Sequence, residues 1–179
     1  MLNNSYIKFY WLETEFFPEI HKFFHKEHYL KPEHFFSIII WKRNASKTII
    51  KRGLLENGLS LDVAVRNLTG EIFKADKEKK LDILLQRKGF QLAIASALLT
   101  VLYPDDFTVY DVRVRGQLNN YPDITYVENN IERYFTEYLP RVLKMGREIT
   151  QNPALSLRDC DRVLWAKSWY GNLQKFLRT

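Results

Sequence analysis

Asp111 is the residue whose type and surroundings point first to chemistry. It follows a short apolar run, Phe107-Thr108-Val109-Tyr110, that is compatible with an extended chain. It precedes Val112-Arg113-Val114, where a helix restarts. A carboxylate at a helix N-terminus is kept ionised by the helix dipole and by free N–H groups. In that state it can stabilise positive charge developing on a carbon, or orient and activate a water. Its plainer role is to cap the helix.

A second chemical candidate is a row of histidines. His21, His25 and His28 fall at i, i+4 and i+7 on one predicted helix, with His34 close by and Glu27 and Glu33 as carboxylate partners. Such spacing can hold zinc for a metal-dependent hydrolase. Lys22 and Lys26 on the same helix oppose a cation, and a solvated face is the favoured reading, so no metal or other cofactor is expected. The single cysteine, Cys160, lies among Arg158, Asp159, Asp161 and Arg162 and reads as a small filler.

Upstream of Asp111, Leu84–Leu99 carries the pattern of two helices joined by a tight turn. A helix-hairpin-helix needs glycine where the chain turns and approaches a phosphate, an apolar plug, and small residues where the helices touch. The second helix aims its N–H groups at that phosphate. Gly89 supplies the turn, Phe90 the plug, and Ala95 and Ala97 the contacts. Arg87 and Lys88 precede the turn as phosphate-contact candidates. Gln91 stands where a second glycine is usual, and its amide is a further candidate. The same segment also reads as an ordinary helical hairpin with a glycine stop.

Taken with Tyr103-Pro104-Asp105-Asp106-Phe107-Thr108-Val109-Tyr110-Asp111-Val112-Arg113-Val114, the hairpin resembles the helix-hairpin-helix DNA glycosylase superfamily, which includes the adenine-mismatch, endonuclease III and 8-oxoguanine enzymes. The interval from Gly89 to Asp111, and the valine three positions beyond, match that family's pattern. Phe35–Lys42 and Leu157–Trp165 are similar to a bacterial branch of it, so the resemblance spans about residues 30–169. It implies a base-excision repair enzyme that hydrolyses the N-glycosidic bond of a damaged or modified base in double-stranded DNA. Asp111 is then the catalytic residue, facing an oxocarbenium-like transition state. The target base must leave the stack for a pocket, for which Trp41, Lys42, Tyr110 and Trp165 are candidates, with Trp169 as a further aromatic. Bifunctional members carry a Schiff-base lysine where this chain has Ala93, so the resemblance implies a monofunctional enzyme. The alternative is a helix-hairpin-helix protein that binds DNA without cutting it.

The elements that must position these residues read as helices nearly throughout. Apolar spacing predicts helices over Glu13–His28, Pro32–Trp41, Ser46–Leu55, from an N-cap at Ser60 to about Gly70, over Lys77–Arg87 and over Leu92–Tyr103. Asp111–Asn119, Glu128–Met145 with a kink or split at Pro140, and Ser156–Trp169 complete the set. The expected fold is therefore all-α: a multi-helix domain covering residues 1–179, or two small lobes sharing a core. The hairpin lies at 84–99 and the catalytic-type loop and helix at 104–119.

Composition agrees with a packed chain that meets a polyanion. Of the residues, 46% are hydrophobic, and the formal net charge is +6. No apolar run is long enough to span a bilayer and no signal peptide is visible, so no membrane partner is expected. One cysteine allows neither an internal disulfide nor an iron–sulfur cluster, which favours a cytoplasmic setting. A monomer is expected.

Overall fold

Leu92–Leu102 is apolar on every side, and a helix of that kind must be buried on every side. In the computed structural model, which describes residues 4–178, it is the central helix. Three helices pack around it: Phe17–Glu27 (α1), Pro32–Arg43 (α2) and Lys77–Leu85 (α5), the central helix being α6. Lys47–Leu55 (α3) and Leu61–Lys74 (α4) complete this half of the molecule. The rest is built from a single turn at Val112–Arg115 (α7), a long helix assembled from Asn130–Arg133 (α8) and Leu139–Thr150 (α9), and Leu157–Arg178 (α10). One continuous cluster of buried side chains runs from Phe16 through α6 to Tyr134 and Leu164. Among the described residues there is no strand, and no helix is long and apolar enough to cross a membrane.

Local chemistry explains most boundaries. The Ser60 hydroxyl accepts from the Val63 N–H at 3.3 Å as an N-cap. At α10 the Ser156 hydroxyl accepts from the Asp159 N–H at 3.1 Å and donates to the Asp159 carboxylate at 2.7 Å. Pro32 occupies the first turn of α2, where a missing N–H costs nothing. Helix α4 runs past Gly70 and ends only where Ala75 and Asp76 turn extended. The helix after Asp111 stops after one turn at Arg115, short of the expected Asn119, and Asn119 and Asn120 beyond it adopt left-handed backbone at φ 51° and 60°. Helix α10 passes Trp169 and continues to Arg178.

The helix is interrupted rather than ended at Pro140. The wide π turn Tyr134–Tyr138 lies just before it and joins α8 to α9. Proline offers no N–H to the carbonyl four residues back and its ring crowds that carbonyl, and a wider turn relieves both. The same device precedes Pro18, where the π turn Leu12–Phe16 leads into α1.

Helices α9 and α10 come very close where Gly146 meets Cys160. A side-chain carbon on Gly146 would collide with the Cys160 side chain. Cys160 is buried there, its thiol directed at the Leu143 carbonyl, and burial pushes that thiol up.

Candidate functional site

Phe107–Tyr110 is buried and outside any helix, leads into extended backbone at Asp111, and has no neighbouring strand among the described residues. Buried backbone groups must nevertheless find partners. Tyr134 and Tyr138, stacked at 5.7 Å in the π turn, supply them. The Tyr134 hydroxyl donates to the Thr108 carbonyl and accepts from the Thr108 N–H at 3.1 Å. The Tyr138 hydroxyl donates to the Val109 carbonyl at 2.8 Å and accepts from the Asp111 N–H at 3.4 Å. The Ser96 hydroxyl on α6 accepts from the Tyr110 N–H at 2.8 Å. Burial pushes both phenols well above their ordinary range, so they stay protonated donors.

Because side chains alternate along an extended segment, Val109 and Asp111 face a cleft of about 460 Å³, while Tyr110 points the other way. Tyr110, expected among the pocket aromatics, is core instead. Its hydroxyl donates to Asp123 at 3.1 Å and accepts from the Ile124 N–H at 2.9 Å, fastening the following loop.

Asp111 is indeed the N-cap of α7, one oxygen accepting from the Arg113 N–H at 2.8 Å. Its other oxygen accepts from the Lys42 ammonium at 2.6 Å, with only 17% of the aspartate side chain exposed. Burial raises its carboxyl. The Lys42 charge and hydrogen bond, with the Arg113 N–H, outweigh burial and hold the group below the usual carboxylate range. A dipole effect is not the cause, since α7 is a single turn.

The structure brings Trp41, Lys42 and Trp165 into the cleft with Asp111. Trp41 is held edge-on by Phe17 at 5.1 Å and lies 5.9 Å from the Arg158 guanidinium. The Arg113 guanidinium lies 5.5 Å from the Trp165 ring. Trp169 is exposed on α10 and does not line this cleft.

The remaining wall holds residues that sequence reasoning did not single out: Glu13, Arg158, Asp161 and Arg162. Arg158 contacts Asp161 directly and donates to Glu13 at 2.7 Å, and Arg162 reaches Glu13 at 3.4 Å. Asp161 is 3% exposed. Burial, opposed chiefly by Arg158, pushes its carboxyl up to about 6. The signal was present in the spacing. Arg158, Asp161, Arg162 and Trp165 recur at i, i+3, i+4 and i+7, and Asp161 stands inside the stripe of Cys160 and Leu164.

The hairpin residues are arranged differently from expectation. Gly89 adopts φ 88°, and a side-chain carbon there would lie 2.9 Å from both Ile49 and Ile50. Its close approach is therefore to α3. Arg87 pairs with Glu71 at 2.9 Å, and Lys88 pairs with Glu56. Gln91 accepts from Arg43 at 3.1 Å and donates to the Tyr126 hydroxyl at 2.8 Å. Consecutive residues at the end of α2 thus tie the two sequence landmarks together, Lys42 to Asp111 and Arg43 to Gln91. On α3, Lys47, Lys51 and Arg52 are exposed and make no ion pair among the described residues. Ala93, half-buried in the first turn of α6, carries no amine.

The histidines serve helix ends. His21 and His25 both reach the Leu102 carbonyl at the end of α6, at 3.1 Å and 2.8 Å. His28 caps α1 in a left-handed conformation and stacks on Phe73 at 4.0 Å. Burial lowers His34. Among the described residues no group of three or more His, Cys, Asp or Glu is placed to hold a metal ion.

Comparison of the chain with family models, with characterised proteins and with solved structures found no match.

Proposed function

We propose that the cleft is the centre of a base-excision DNA glycosylase that hydrolyses the N-glycosidic bond of a damaged or modified base. The observation that carries this reading is Asp111: a carboxylate held ionised, largely buried, and facing a cleft walled by two tryptophans. Breaking the bond to the base leaves positive charge on the deoxyribose. A preorganised carboxylate, largely withdrawn from water, stabilises that charge better than water does. Trp41 and Trp165 offer flat apolar faces to a base turned out of the duplex. With alanine at position 93, and Lys42 committed to Asp111, water is the attacking group. The exposed cations of α3 and the N–H groups at the start of α6 support a DNA backbone running beside the cleft. Double-stranded DNA carrying an altered base is the proposed partner of a monomeric protein.

The Lys42–Asp111 pair also supports a second reading, in which Asp111 is only a structural anchor of a DNA-binding module. The test is a panel of duplexes, each with one altered base: hypoxanthine, uracil, 5-fluorouracil, 8-oxoguanine or 3-methyladenine. Abasic sites are read by alkaline strand cleavage, and Asp111→Asn is run alongside. Base release that disappears in the variant, with DNA binding retained, is the expected result. Binding without release from any duplex establishes the second reading.

A further inference from the structure

Asp111 and Asp161 reach one cleft from different elements, and their surroundings drive them apart. Asp111 meets Lys42 and a backbone N–H. Asp161 enters from α10 with 5% of its side chain exposed, and its contacting cation is Arg158, which is shared with Glu13. The other groups facing Asp161 are the Thr108 hydroxyl, Tyr134 and Tyr138 from the π turn, and Asp111 and Lys42 across the cleft. Both tyrosine hydroxyls are already engaged with the backbone of the extended segment. Resting on the glycosylase reading, we infer that Asp161 is the general acid that protonates the departing base, while Asp111 faces the sugar.

Two carboxyl groups in one cleft divide acid and base roles when their environments separate their affinities for a proton. Here burial holds a proton on Asp161 up to about 6, whereas Lys42 holds Asp111 ionised. A base seated in the cleft displaces water from around Asp161 and pushes it further the same way. In the reaction, the bond from the sugar C1′ to the base nitrogen breaks and its electron pair stays with the base. The Asp161 proton goes to that base. Water forms the new C1′–O bond, and its surplus proton passes to the Asp111 carboxylate. The products are a neutral free base and an abasic sugar, and the two aspartates return to their starting states through solvent.

The experiment compares two duplexes that differ only in the target base. Hypoxanthine departs with the help of a proton, and 5-fluorouracil departs as a stabilised anion. Single-turnover release is followed from acid to alkaline solution for the unsubstituted protein and Asp161→Asn. In parallel, a carboxyl-carbon NMR titration of the unsubstituted protein reads Asp161 without any turnover. Asp161→Asn should slow hypoxanthine release about 10²-fold or more and abolish the alkaline fall in rate. It should leave 5-fluorouracil release within a few-fold, and one aspartate should titrate near 6. Equal slowing on both duplexes with the pH profile unchanged, or no slowing at all, overturns the proposal. So does the absence of a carboxyl titrating near 6. If the carboxyl titrates there but the unsubstituted protein releases no base from any duplex of the panel above, the glycosylase reading fails and the acid role falls with it.

Discussion

The hairpin and the cleft use the same kinds of ion pair in opposite settings. At the hairpin, Arg87–Glu71 and Lys88–Glu56 lie half-exposed on the surface. In the cleft, Lys42–Asp111 and Arg158–Asp161 are largely removed from water. Exposed pairs contribute about 0–1 kcal/mol and are screened by salt, so their members can change partners. Buried pairs hold their members in place and are costly to break, because the partner left behind is a buried group without its counter-charge. The hairpin cations are thus free to change partners, whereas the cleft pairs hold their members in place.

The sharpest way to break this contrast is to remove one member of a buried pair. Arg158→Met leaves Asp161 buried with no cation in contact, and should lower stability by about 3–5 kcal/mol in urea unfolding at neutral pH. A loss below about 1 kcal/mol would put the two regions on one footing.

The next effect is on pH dependence. Asp161 has its folded affinity for protons raised from 3.8 to about 6, so its ionisation opposes folding. Lowering the pH through that window should stabilise the protein by an amount on the order of 3 kcal/mol. Asp111 has the opposite sign. Its contribution is present above the ordinary carboxyl range and is lost as the pH falls through its depressed value. Asp161→Asn should remove the gain on acidification and leave the Asp111 loss, as read by urea midpoints across that range.

Gly89→Ala tests the hairpin's backbone rather than its charges. Positive φ and the clash with Ile49 and Ile50 predict a loss of about 2 kcal/mol. The smallest effect is expected at the exposed pairs, where Arg87→Gln and Lys88→Gln should each change stability by less than about 0.5 kcal/mol. In duplex binding, replacing Lys47 and Lys51 by Gln should reduce the slope of log affinity against log salt by about 1 per residue. A larger change at Arg87 and Lys88 would show that phosphate displaces their glutamates.

Much of the helical frame was legible locally, because its signals lie within a few residues: Ser60 before α4, Pro32 inside α2, and the all-apolar run of α6. Asp111 was legible as the opening of a helix, and the resemblance drew Trp41, Lys42 and Trp165 toward it. Tyr110 was misplaced because, in an extended segment, the face a residue takes depends on which neighbour meets the cleft. Asp161 was missed because what sets it apart is burial against Thr108 and two tyrosines distant in the chain. Arg87 and Lys88 read as free cations because Glu71 and Glu56 approach them from α4 and the end of α3. The π turn before Pro140 leaves no local mark beyond the proline.

The tyrosine pair that replaces a neighbouring strand has a consequence for the order of assembly. The segment carrying Asp111 shares four of its hydrogen bonds with hydroxyls that lie 26 to 29 residues farther along the chain. Local contacts alone leave Thr108, Val109 and the Asp111 N–H without partners, so the segment is completed only when Tyr134 and Tyr138 dock. The amides of Thr108 and Asp111 should then exchange with solvent in step with the opening of that helix, as one cooperative unit. A lost hydroxyl would strip partners from the buried backbone that carries Asp111, so the cleft depends on two oxygen atoms of a distant turn.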